Sequence, residues 1–226
     1  MWLFPVGAAA VSGAFTIMLL ARFGRARRPH VLAWAIALAM FAAASSAAAI
    51  GILAGWTPAW FRVYYLFGAI ANVPVLASGT IYLLGPRAIA HGAAVLVGIA
   101  CALAAVGVGV ADVDRAGLRT DGIPRGSEVV SPAVRTTARV YSFAGFFVVA
   151  GGAAWSAARQ MRSRQQHLRK LALANGLIAA GTVVVALGSG FAFYGRGLPF
   201  AVGLFVGVCL MFWGFLHARP PASAPG

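Results

Sequence analysis

The sequence predicts an all-α membrane protein, a seven-transmembrane-helix bundle with its N-terminus outside and its C-terminus cytoplasmic. Three observations lead there. Of 226 residues, 61% are hydrophobic and only 10% are charged, against about 25% charged in a soluble domain. The charges are segregated: seven windows, 1–21, 29–61, 63–86, 88–111, 140–158, 171–195 and 197–218, contain no Asp, Glu, Lys or Arg. Each window is apolar on every face and holds at least 19 residues. A helix needs about 20 apolar residues to cross the hydrocarbon layer. Barrel strands would instead alternate in polarity over about 10 residues, and in lipid only helices and closed barrels satisfy the backbone.

Taken in order, the windows give helices over about 4–21, 31–54, 60–85, 89–111, 140–158, 171–194 and 198–217. The first carries no positive charge ahead of its apolar run, and Arg22, Arg25, Arg27 and Arg28 follow it. A secretory leader has the reverse order, so this window reads as a first span inserted with its amino end outside. Trp56, Trp60, Tyr64 and Tyr65 mark the outer ends of the second and third helices, and Trp34, Trp155 and Trp213 stand towards inner ends, as amphipathic rings at headgroup depth do. The longest connection, 112–139, is rich in Gly, Pro, Ser and Thr and reads as an outer loop. Residues 1–219 form one transmembrane domain, and 220–226 read as a disordered Pro/Ala/Ser tail.

Basic residues set the orientation. One side of the predicted bundle carries 11 Lys and Arg, nine of them in the dense clusters 22–28 and 159–170. The other side carries 7, mostly in the long loop, together with all four acids, Asp112, Asp114, Asp121 and Glu128. The positive-inside rule places the dense clusters in the cytoplasm, at the cell membrane. A net charge of +14 and a pI near 11.6 also suit a nucleic-acid binder, but the basic residues are scattered between apolar windows. The expected partners are anionic lipid headgroups at the cytoplasmic Arg clusters, a membrane-protein partner or a second copy, and not nucleic acid. Cys101 and Cys209 lie inside windows and read as small buried hydrophobes.

Little in the chain suggests chemistry. No acid or base lies at a helix centre, which disfavours ion-coupled transport through a buried carboxylate. His30, His91, His167 and His217 sit at the cytoplasmic boundary without HxxxH or HxxH spacing. Asp112 and Asp114 form a lone DxD pair, and Ser127, Ser131, Thr136 and Thr137 have no loop histidine to activate them. The seventh window lacks the lysine of a retinal protein, DRY and NPxxY are absent, and Pro74 is the one mid-helix proline. No catalytic residue, metal ligand or cofactor is expected.

The distinctive segment is the third helix. Tyr65, Asn72, Pro74 and Ser78 form a polar, kink-prone stretch. Pro74 withholds an N–H from the carbonyl of Ile70, and polar breaks at mid-membrane often line cavities. Asn175 and Thr182, with Ser189 one heptad further, share a stripe of the sixth helix and are the expected partners. These residues form the candidate ligand site; otherwise they bond neighbouring helices. Small residues recur at four-residue spacing: Ala43, Ala47 and Gly51; Ala94, Gly98 and Ala102; Ala172, Gly176 and Ala180; Gly203 and Gly207. They predict close helix packing. The expected function is a non-catalytic accessory or assembly component binding other membrane proteins or lipids. The alternative is a small-solute or lipid transporter, or a sensor, with a pocket around the third and sixth helices.

Overall fold

The computed structural model describes residues 1–118, 122–162, 166–193 and 196–217, with the backbone alone at 166–170, 190 and 192–193. The tail 220–226, Arg119, Asp121, Arg164 and the side chain of His167 lie outside the described residues.

Seven helices are long and apolar enough to cross a membrane, and no strand occurs among the described residues. They are α1 (Leu3–Ala26), α2 (Pro29–Ala54), α3 (Pro58–Leu84), α4 (Arg87–Val110), α5 (Pro132–Met161), α6 (Gln166–Phe193) and α7 (Gly197–His217). Their ends follow local rules. Arg27 takes a left-handed conformation (φ 48°) and returns its N–H to the carbonyl of Phe23 at 2.8 Å, closing α1. Pro29, Pro58 and Pro132 open α2, α3 and α5, where the missing proline N–H is not needed. The Thr57 hydroxyl caps α3 by accepting the Trp60 N–H at 3.2 Å, and Gly55 turns the chain out of α2 at φ 92°.

Two features depart from the sequence reading. The first is α5, which begins at Pro132 rather than near 140, so Arg135 and Arg139 lie in a helix. Its 30 residues span about 45 Å at 1.5 Å per residue, more than the roughly 30 Å of hydrocarbon. The first turns can therefore carry charge beyond the apolar layer. The second is inside α3, where Tyr65–Ala71 forms a π-helix. This wide turn lies immediately before Asn72 and Pro74, in the stretch where proline withholds a donor. The Ser142 hydroxyl on α5 donates to the Ala69 carbonyl of this segment at 2.7 Å.

Six helices close into a ring, in the order α1, α2, α3, α5, α6, α7 and back to α1. The fourth helix stands outside it, against α3 and a short stretch of α5. The consequence shows in burial: 44% of the apolar window of α2 is enclosed, and 11% of that of α4. The α6–α7 pair is the most extensive contact, made over glycines. A β-carbon at Gly181 would lie 2.6 Å from the Gly207 carbonyl oxygen, and one at Gly203 would lie 2.8 Å from the Gly188 Cα. Of the small residues predicted to pack, Ala47 and Gly51 are buried and Gly203 and Gly207 meet α6, whereas Gly98 and Gly176 face open space.

The 112–139 connection packs down on the bundle. Leu118, Val129 and Val130 are buried in a cluster with Phe61, Tyr65, Ile70 and Val108. Trp56 donates its indole N–H to the Gly122 carbonyl at 2.7 Å. Arg62 donates to the carbonyls of Val108 and Ala111 at 3.2 and 3.1 Å, placing a cation on the carbonyl end of α4, where the helix dipole favours it.

Candidate functional site: a cavity at the basic end of the ring

Every ring helix, and not α4, contributes to a cavity of about 60 Å³. Its inner walls are apolar and buried: Phe15, Leu38, Val149 and Met211. On α3 the lining runs from Leu76 through Thr80 to Leu84. These eight residues of rise cover about 12 Å along the axis, so the space is a slot. Its polar groups are Thr80, Ser156, Asn175 and the indole of Trp34. Leu83 and Leu84, in the last turn of α3, are its exposed lining residues. This is the end of the bundle that carries Arg22, Arg25, Arg27, Arg28, Arg87, Arg159 and Arg162. The Arg22 guanidinium stands 5.7 Å from the ring centre of Phe215, itself part of the wall. Arg159 is one helical turn beyond Ser156. Among the described residues, the acids Asp112, Asp114 and Glu128 are all at the opposite end.

The candidate residues chosen from sequence are dispersed. Asn175 lines the cavity and donates to Gln160 Oε1 on α5 at 3.0 Å. Asn72 is buried immediately after the π segment, and its Oδ1 has no hydrogen-bond partner among the described residues. It is the position one turn before Leu76 on the stripe that Leu76, Thr80 and Leu84 continue along the wall. Pro74 is buried. Ser78 donates back to Val75 O at 2.7 Å, and Thr182 to Ile178 O at 2.8 Å. Tyr65 lies at the other end of the bundle, stacked on Phe61 at 5.4 Å and packed against Gly126. Asn175, Thr182 and Ser189 thus bond within α6 or to α5, not to α3.

Thr80, Ser156 and Trp34 are not among the site residues expected from sequence, where Trp34 reads only as an interfacial ring. Thr80 carried a usable signal, its four-residue spacing from Leu76 and Leu84. Gly79 explains Trp34: the indole ring packs directly against it, room that a larger residue would remove.

The described histidines are housed singly. His30 meets Trp34 edge-on at 5.3 Å, His91 hydrogen-bonds to Arg87 O at 2.7 Å, and His217 to Trp213 O at 3.0 Å. Asp114 accepts the Ala116 N–H at 2.8 Å in a local turn, and Glu128 pairs with Arg125 at 3.3 Å. Comparison with protein families, curated proteins and solved structures gives no match to this chain.

Proposed function

We propose that this chain is a non-catalytic, multi-pass component of the cell membrane that associates with other membrane proteins and with lipid, its amino end outside and its basic end in the cytoplasm. The observation that carries this reading is the place of α4. It stands outside the ring with 11% of its apolar window buried. Gly98, Ala102, Ala105 and Gly109 are exposed along it at four-, three- and four-residue spacing. A β-carbon at Gly98 or Gly109 would meet nothing within 4 Å. In lipid the hydrophobic effect does not draw helices together, and close backbone approach over small residues does. A helix the ring does not enclose, with small residues outward, suits a lateral partner.

The transporter or sensor reading is favoured by one observation, the cavity holding Thr80 and Asn175 between α3 and α6. At about 60 Å³ it is well below the roughly 300–1,000 Å³ of pockets that enclose small-molecule ligands, so association is the stronger reading. Purification in a mild detergent tests it: a polypeptide recovered in fixed stoichiometry, a second copy included, supports association, and a monodisperse single chain opposes it.

A further inference from the structure

We propose that the ring cavity is a water-binding site, in which a short file of ordered water enters from the basic end and joins α3, α5 and α6 through Thr80, Ser156 and Asn175. The proposal concerns the cavity and is independent of α4.

The polar groups stand at regular steps. Asn175 of α6 is level with Gln160 of α5, to which its amide donates at 3.0 Å. Ser156 lies one helical turn deeper on α5, and Gly152 a further turn in. A β-carbon at Gly152 would sit 2.6 Å from Cγ2 of Thr80, so Thr80 of α3 is at that level. Each step of four residues is about 6 Å. A water accepting one hydrogen bond and donating another, each of about 2.8 Å, spans about the same length. All three groups have capacity to spare. Asn175 keeps its Oδ1 as an acceptor, and the Thr80 hydroxyl is held only loosely, at 3.5 Å from Leu76 O. Ser156 makes no hydrogen bond among the described residues.

Volume and access agree. A cavity of about 60 Å³ is too small for an organic ligand and holds about two waters, at the roughly 30 Å³ that each occupies in the liquid. Ser156 and Asn175 are half-buried, and Leu83 and Leu84 beside them are exposed, so the polar end is the open one. Deeper than Thr80 the lining turns apolar, with Leu76 one turn further on α3 and Val149 on α5, and the file ends where its partners do. Bridging water costs little and bonds nearly as well as a direct contact. Asn175, which makes no direct bond to α3, thus meets it through water.

The test is X-ray hydroxyl-radical labelling of the full chain in phosphatidylcholine nanodiscs, read by mass spectrometry. Radicals formed from water oxidise the side chains beside that water before they can diffuse far. Met211, buried and lining the cavity, should be oxidised. Phe61, fully buried in the cluster at the other end, should stay unlabelled. Thr80→Val combined with Ser156→Ala removes two of the three polar steps with little change of shape, and Met211 oxidation should fall to the level of Phe61. Arg25→Gln, exposed at the same end, should leave it unchanged. Protection of Met211 in the unaltered chain would show a dry cavity and overturn the site. Undiminished oxidation in the double variant would show water that owes nothing to these groups and overturn it equally. Protection of Phe61 reports in each sample that the chain is folded. Should the double variant lose that protection, Thr80→Val alone decides: a fall in Met211 oxidation supports the site and an undiminished level overturns it.

Discussion

Ser142 on α5 donates its hydroxyl to the carbonyl of Ala69, inside the π segment of α3, at 2.7 Å across 73 residues of sequence. Pro74 withholds its N–H from the carbonyl of Ile70, the residue after Ala69. The Ser142 bond joins α3 to α5 at the irregular turn of α3. Ser142→Ala should lower stability by about 0.6 kcal/mol, the average for interhelical hydrogen bonds in membranes, and by no more than about 1.7 kcal/mol. Thermal unfolding in detergent checks this, and an unchanged midpoint would show that the contact does no structural work.

Glycines should divide sharply by position. At Gly181 an added β-carbon would sit 2.6 Å from the Gly207 carbonyl oxygen and 3.0 Å from the Met211 backbone nitrogen. Backbone cannot swing aside as a flexible side chain can, so Gly181→Ala should cost about 1–3 kcal/mol. Gly98→Ala, with open space around it, should stay within about 0.5 kcal/mol. Parallel unfolding curves read the difference, and similar losses at both sites would contradict the α6–α7 packing.

Asn72 is expected to behave against intuition. Its Oδ1 is buried without a partner among the described residues, and such an atom carries a desolvation cost of about 1–3 kcal/mol. Asn72→Leu removes that atom and keeps the number and branching of the side-chain heavy atoms. Its unfolding midpoint should equal or exceed that of the unaltered chain. A fall equivalent to more than about 1 kcal/mol would mean that the amide makes a bond essential to the fold.

The spans were legible because lipid leaves few alternatives: a charge-free run of about 20 residues must be a helix. The start of α5 was not. Arg135 and Arg139 ended the apolar window, while the Ser131–Pro132 helix opening pointed to the earlier start. Of the candidate site, Asn175 reached the cavity, whereas Tyr65 went to the opposite end and Ser78 bonded its own helix. Spacing identifies a shared face on one helix, but not which helix that face meets. For the same reason Gly98 and Gly203 looked alike in sequence, and ring closure alone separates them. The exclusion of α4 from the ring is decided by three-dimensional packing, and its one trace in the sequence is that its apolar window is the most hydrophobic of the seven.

Orientation is open to direct measurement. In a background with Cys101 and Cys209 replaced by alanine, Ala116→Cys, exposed beyond α4, should react with a membrane-impermeant thiol reagent on intact cells. Arg25→Cys, exposed at the basic end, should react only after the membrane is opened. This follows from the positive-inside rule, and the opposite pattern would invert the topology.

The central claim, lateral association through α4, is tested most directly by a variant that alters that face and nothing else. Gly98→Leu combined with Ala102→Leu places two larger side chains where Gly98 has no neighbour within 4 Å and Ala102 is exposed. The intramolecular fold should therefore survive, with an unchanged unfolding midpoint. Purified in mild detergent, the unaltered chain should carry a polypeptide, or a second copy of itself, in fixed stoichiometry, and the double variant should lose it. A chain that purifies alone, or a double variant that keeps its companion undiminished, would contradict the account.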